Sequence, residues 1–242
     1  MIKKILLCTV LKPIFSIFEI KKITLIITLI CISNFGFCQS NEIKIKFIGN
    51  CGLHMTDGES NFYIDFPYKS GAHNYMEYDK SEIDSIKDKA IFIFTHRHAD
   101  HYSKKILKKL NGQIFDPWNI AQLEKLSESI SEFHIKAFKT QHKVFGISFK
   151  HYSYQITWHG KKIYLSGDTE NSETIATQKD IDWAFIPVWL ATDAKDKGIK
   201  LGTISKMYAI YHIGPHDKIT NDRKDPQIKL LDKQGEVIII PF

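Results

Sequence analysis

Ile43-Lys44-Ile45-Lys46-Phe47-Ile48 alternates apolar and polar side chains, the period of a strand with one face buried. Gly49-Asn50-Cys51-Gly52 then reads as a turn. Two further apolar stretches, 53–55 and 61–64, flank Thr56-Asp57-Gly58-Glu59, where Asp-Gly signals a hairpin. The second stretch runs into Asp65-Phe66-Pro67, where Asp65 can cap the turn or orient a metal-bound histidine from behind. Residues 68–80 are polar, carry Tyr68, His73, Tyr75 and Tyr78, and predict a long binding loop. Ser81 to Asp88 predicts a short capped helix. Ala90-Ile91-Phe92-Ile93-Phe94 is continuously apolar, the pattern of a strand covered on both faces.

Behind that strand, Ser103 stands at an N-cap position and Ile106, Leu107 and Leu110 fall on one face, so an amphipathic helix is expected over 103–110. A brief strand at 113–115 and a helix at 119–126 continue the alternation of strand and helix. Strands are expected at 133–140, 148–157 and 161–166, the last two joined by Trp158-His159-Gly160-Lys161. A short helix at 171–176 and strands at 183–188, 207–212 and 235–241 complete the pattern. There is no internal repeat and no linker, so residues 39–242 read as one α/β domain.

The candidate chemistry sits directly behind the buried strand. Thr95-His96-Arg97-His98-Ala99-Asp100-His101 places four metal-capable side chains within six residues. Strand-like alternation sends His96 and His98 to one side, so both imidazoles can face one ion, while Asp100 and His101 can reach a second. His142, Asp168 and His212 each close a predicted strand, and strand ends at one sheet edge can gather residues distant in sequence. His151 competes with His142, and His216 with His212. Two ions about 3.5–4 Å apart require this inventory, neutral imidazoles and a carboxylate able to bridge. His73 reads as a surface histidine, and His54 and His159, in hairpins, as structural or solvent-facing.

His96-x-His98-x-Asp100-His101, the lone His142, Gly167-Asp168-Thr169 and a strand-terminal His212 resemble the metallo-β-lactamase-fold superfamily. The opening Phe47-Ile48-Gly49-Asn50-Cys51-Gly52 and the small size are most similar to its compact, lactonase-like branch. The resemblance covers residues 43–242 and implies a four-layer αββα sandwich with two metals at one edge. It assigns His96, His98 and His142 to the first metal, Asp100, His101 and His212 to the second, and Asp168 to both, with Asp65 matching the family's first acidic position. The family's third ligand lies on a loop before a hairpin leading to the bridging aspartate, which favours His142. The spacing from Lys206 favours His212, although Ile210 stands where the family often has proline.

The resemblance implies two divalent ions, zinc first, with iron or manganese as alternatives. They lower the pKa of a bridging water toward about 7, and Asp100 aims the resulting hydroxide at an ester, lactone or phosphodiester-type centre. The bridging Asp168 argues against antibiotic cleavage, because the family's β-lactamases commonly carry a cysteine at the second metal and no bridging aspartate. The other reading is a metal-binding scaffold or sensor without turnover. Loops 68–80 and 189–202 are expected to shape a small-molecule substrate site, with Tyr75, Trp118 and Trp189 as candidate walls.

Charge and cysteine usage bear on compartment and partners. Of the net +6, residues 1–38 carry +4 (Lys3, Lys4, Lys12, Lys21 and Lys22 against Glu19), which leaves +2 for the rest. A near-neutral domain with no basic stripe argues against a nucleic-acid partner. Lys21-Lys22, the apolar run Ile23 to Ile32 and the polar stretch to Gln39 form an export signal, cleaved near Cys38 or retained as a membrane anchor. Beyond it only Cys51 remains, so no internal disulfide can form, and Cys51 reads as a small buried residue rather than a nucleophile.

Overall fold

The alternation at residues 43–48 becomes strand β1 (Glu42–Gly49), with Ile43, Ile45 and Phe47 turned inward and Lys44 outward. The computed structural model describes residues 41–217 and 225–242, so the expected signal at 1–38 lies outside the described residues. Strands β2 (Gly52–Thr56) and β3 (Asn61–Ile64) form the Asp-Gly hairpin. Asp57 Oδ1 accepts the amides of Glu59 and Ser60 at 3.0 and 2.8 Å, which closes the turn.

Helix α1 (Ser81–Asp84), strand β4 (Ala90–Ile93), helix α2 (Lys104–Leu107), strand β5 (Gly112–Phe115) and helix α3 (Ile120–Glu124) follow. Then come β6 (Phe133–Thr140), a two-stranded ribbon of β7 (Lys143–Val144) and β8 (Ile147–Ser148), β9 (His151–Trp158) and β10 (Lys161–Leu165). Helix α4 (Glu173–Ala176), β11 (Ile181–Pro187), α5 (Val188–Asp196), β12 (Ser205–Tyr211), β13 (Ile228–Leu230) and β14 (Val237–Pro241) complete the described chain.

Two six-stranded sheets result, ordered β14-β1-β2-β3-β4-β5 and β13-β12-β11-β10-β9-β6. In each, antiparallel pairs at one end give way to parallel ones at the other, β3-β4-β5 in the first and β10-β11-β12-β13 in the second. Their inner faces share one core in which Phe62 stacks on Phe133 at 4.7 Å and meets Trp158 edge-on at 5.0 Å. On the outer face of the first sheet, Tyr63, Phe92 and Phe94 pack with Leu107 of α2. On the outer face of the second, Tyr164, Ala184, Ile186 and Tyr208 pack with Ile175 of α4 and Leu190 of α5. The architecture is a four-layer αββα sandwich. It explains why β4 reads as continuously apolar: Ile91 and Ile93 face the central core, and Ala90 and Phe92 the outer layer.

Several expectations are corrected. The helices at 81–88 and 103–110 are shorter, because their later turns tighten to i→i+3 bonds such as Lys109 N–H to Ile106 O and Leu110 N–H to Leu107 O. The strand expected over 148–157 is broken, because the chain doubles back through Phe145-Gly146, both at positive φ, before β9 joins the sheet. The loop expected over 189–202 begins as α5, which buries Leu190 and Ala194. The three-residue β13 carries too short a pattern to be read from sequence. Among the described residues, no helix is long and apolar enough to cross a membrane.

At the far end of the hairpins, His159 joins Asp57 Oδ2 at 2.9 Å and Glu132 Oε2 at 2.8 Å and stacks on Phe242 at 3.9 Å. Burial alone would lower its pKa, but the bonds to Asp57 and Glu132 outweigh that and raise it. This contribution to stability is therefore full below the unfolded value of about 6.5 and is lost as pH rises through the higher folded value. The difference in unfolding free energy between wild type and His159→Gln should shrink as urea titrations are moved from about pH 6 to about pH 9. A difference that grows with pH would contradict this. In the shared core, Trp158→Ala should cost about 3–5 kcal/mol by urea unfolding.

Candidate metal centre

Six strand ends converge at one edge of the sandwich. Asn50 and Cys51 follow β1, Asp65 follows β3, residues 95–101 follow β4, His142 follows β6, Gly167-Asp168 follow β10 and His212 follows β12. Asn50, Asp65 and His212 hold left-handed backbone with φ of 50, 46 and 52°. Non-glycine residues there carry strain of about 1–3 kcal/mol, tolerated where the surroundings pin it. The pins are main-chain bonds, Asp65 N–H to Ile93 O at 2.9 Å and His212 N–H to Asn50 O at 3.1 Å.

Asp65 is fully buried and accepts three bonds. The Thr95 amide reaches its Oδ1 at 2.7 Å, and the Thr95 hydroxyl and His101 Nδ1 reach its Oδ2 at 2.8 and 3.0 Å. A carboxylate can only accept, so His101 donates from Nδ1 and turns Nε2 outward. The Thr95 hydroxyl, having donated to Asp65, accepts from His96 Nδ1 at 3.0 Å, and His96 Nε2 is left free in the same way. Of the two roles expected of Asp65, the carboxylate takes the second and orients a histidine, since none of these bonds comes from the turn after β3.

The freed nitrogens face Asp168. His101 Nε2 lies 3.1 Å from Asp168 Oδ1, and His212 Nε2 and His96 Nε2 lie 3.2 and 3.6 Å from Oδ2. These separations match the ~3.4 Å edge of a tetrahedron with bonds of ~2.1 Å. Two four-membered groups have donor atoms all within 4.8 Å of one another: His96, His98, His142 and Asp168, and Cys51, His101, Asp168 and His212. Asp168 alone is common to both. Asp100 stands beside the second group, its Oδ2 3.3 Å from His212 Nε2 and 3.6 Å from His101 Nε2.

The electrostatics follow from burial. Burial and the neighbouring His101 charge hold His96 well below its usual pKa, and burial lowers His98, so both favour the neutral imidazole a metal requires. Burial would raise Asp168, but His101 and His212 outweigh it and keep the carboxyl well below the usual range. Burial would equally lower His101, yet the charge of Asp168 raises it. His96 Nε2 is buried without a hydrogen-bond partner, as are His142 Nδ1 and His212 Nδ1. An orphaned nitrogen facing a carboxylate fits a divalent cation between them.

The competing histidines separate cleanly. His151 Nε2 accepts the Asp168 amide at 2.9 Å and its Nδ1 bonds the Thr140 hydroxyl at 2.6 Å, so both ring nitrogens are spent on positioning Asp168. His216 is exposed, whereas His212 is buried in the cluster. His73 lies at the rim, 63% exposed, with Nε2 3.9 Å from Asp100 Oδ1. His54 stacks on Tyr63 at 4.5 Å, away from the cluster. Tyr75 and Trp189 pack against the His212 ring at 4.2 and 4.8 Å and line a cleft of about 780 Å³ that opens onto the centre. Trp118 does not line that cleft: it covers the Arg97 guanidinium at 4.1 Å, which in turn pairs with Asp116. Sequence reasoning left Asn50 and Thr95 without roles, and weighed His151 only as a ligand, not as the residue that positions Asp168. It also placed Cys51 in the core without its contact to Asp168, 3.9 Å from Sγ to Oδ1.

A family profile described as the beta-lactamase superfamily domain matches residues 44–202. The chain belongs to this superfamily. The beta-lactamase superfamily match ends before β12, but structural likeness extends further. Igni18, a metallo hydrolase from Ignicoccus hospitalis, is 16% identical with a TM-score of 0.60 over 83% of this chain and 99% of its own. YhfI from Bacillus subtilis, a metallo-beta-lactamase fold protein, is 15% identical with a TM-score of 0.57 over 83% and 100%. A candidate metal-dependent hydrolase from Parabacteroides distasonis is 22% identical with a TM-score of 0.55 over 78% and 92%. At these identities the likeness is one of fold. No curated protein matches the sequence.

Gly167 sets the turn that delivers Asp168. Its φ is +59°, and a Cβ there would lie 2.5 Å from His151 Nε2 and 2.7 Å from Thr95 Cβ. Gly167→Ala should therefore cost more than about 1 kcal/mol by urea unfolding and reduce the metal content found by elemental analysis. Wild-type stability and metal content in that variant would contradict the geometry.

Proposed function

We propose that this chain is an exported, dinuclear metal-dependent hydrolase acting on a carbonyl ester or lactone. The observation that carries the reading is the buried Asp168 carboxylate, shared by two converging donor groups. His96, His98 and His142 would hold one ion, His101, His212 and Asp100 the other, and Asp168 both. When bound, two such ions supply an activated hydroxide at neutral pH and polarise the electrophile.

The chain's own residues do the rest. Asp100 is fixed by Asn50, whose Nδ2 donates to the Asp100 main-chain oxygen at 3.0 Å. Its Oδ2 faces His212, while its Oδ1 faces His73 at the rim, so Oδ1 is the atom placed to hold and pass on a proton in the cleft. Tyr75 and Trp189 cover the His212 ring and exclude water from that side. The acyl centre is favoured over a phosphodiester by the cleft walls. Glu170, Asp193, Asp196 and Asp217 line it, with no Lys or Arg among the described residues, whereas phosphate recognition draws on those cations. The cleft reaches His98, Asp100 and Asp168 past the 68–80 loop, which supports turnover over a sealed scaffold. The Lys21-Lys22 pair and the apolar run after it support export.

Elemental analysis of the full-length protein should find about two divalent ions per chain, and about one or fewer in Asp168→Ala. Turnover of neutral esters and lactones should fall by more than about 100-fold in that variant. Folded protein that takes up no metal when it is supplied would overturn the hydrolase reading and leave the scaffold. Phosphodiester turnover above ester turnover would overturn the acyl assignment.

A further inference from the structure

Cys51 follows a break in the first sheet. The β1–β2 ladder shifts register between Phe47 and Gly49, and the chain then turns through Asn50 and Cys51 before β2 resumes. That turn is bound to the second donor group on both sides. Asn50 Nδ2 reaches the Asp100 main-chain oxygen at 3.0 Å, and the Asn50 main-chain oxygen accepts His212 N–H at 3.1 Å. Gly52 keeps the turn close-packed, since a Cβ there would lie 3.1 Å from Gly49 O. Cys51 is fully buried, with Sγ 3.9 Å from Asp168 Oδ1 and within 4.8 Å of the facing donor atoms of His101 and His212.

We propose that Cys51 is a ligand of the second metal, approaching from the protein interior while Asp100 approaches from the cleft; this rests on the dinuclear reading above. On binding, the S–H bond breaks, its proton passes to solvent and a sulfur–metal bond forms. The two positions then differ in chemistry. The first offers three imidazoles and a carboxylate, and the second adds a soft thiolate, which selects zinc or cobalt over manganese. Manganese, an open choice from histidine and aspartate alone, becomes disfavoured at the second position.

The test uses the full-length chain with Cys8, Cys31 and Cys38 changed to Ser, so that Cys51 is its only sulfur nucleophile. Loaded with Co(II), it should show a thiolate-to-cobalt charge-transfer band in the near ultraviolet, and adding Cys51→Ser should remove the band while one or two cobalt ions stay bound. Zinc-edge X-ray absorption of the same protein should show a sulfur neighbour at about 2.3 Å, a readout that needs no change at Cys51. Two ions bound with only nitrogen and oxygen neighbours, or a band that survives Cys51→Ser, overturns the proposal and leaves the dinuclear reading standing. Failure of this protein to take up any metal overturns the dinuclear reading itself.

Discussion

The centre depends on one buried carboxylate that is aimed away from the cleft. Asp65 accepts the amide and hydroxyl of Thr95 and the Nδ1 proton of His101, and through Thr95 it also fixes His96. An acceptor-only group at the base of the site decides where two imidazole protons reside. Both Nε2 atoms then point at Asp168. An amide at position 65 would bring donors of its own and leave the tautomers undetermined, so orientation here is a matter of hydrogen-bond polarity more than of packing.

That arrangement requires the two sheets to be held in register, because each supplies part of the donor set. The first gives Asp65 and residues 95–101, the second His142, Asp168 and His212. Main-chain and side-chain bonds cross between them at the rim. Tyr152 N–H donates to Thr95 O at 3.0 Å, the Tyr154 hydroxyl to Phe94 O at 2.8 Å, and His212 N–H to Asn50 O at 3.1 Å. A site built on strand ends and clamped across the sandwich keeps its geometry better than one carried by free loops. His151 has the same kind of role on the second sheet, holding the Asp168 amide with one ring nitrogen and Thr140 with the other.

The centre also stores unfavourable electrostatics. Asp168, Asp100 and Asp65 are all buried within reach of histidines. The charge of Asp168 raises the pKa of His101, while His96 keeps an unpaired nitrogen. Divalent ions bound here would balance the carboxylates and satisfy that orphan atom, and metal binding would then be coupled to the stability of the strand ends.

Much of this was legible in one dimension. The alternation in β1, the unbroken apolar run of β4 and the histidine cluster behind it depend on local period and spacing, which sequence records directly. The resemblance located Asp65, His142, Asp168 and His212 because each closes a strand, and strand ends can be read from pattern. Other features were decided only by folding. The resemblance favoured His142 over His151, but only the partners of their ring nitrogens show what His151 does instead. Helix α5 replaced an expected loop because Leu190 found an apolar sheet face to cover. Trp118 went to Arg97 instead of the cleft wall, and Cys51 proved to face Asp168. Each of these outcomes turns on contacts between residues far apart in the chain, and such contacts exist only once the two sheets have closed on one another.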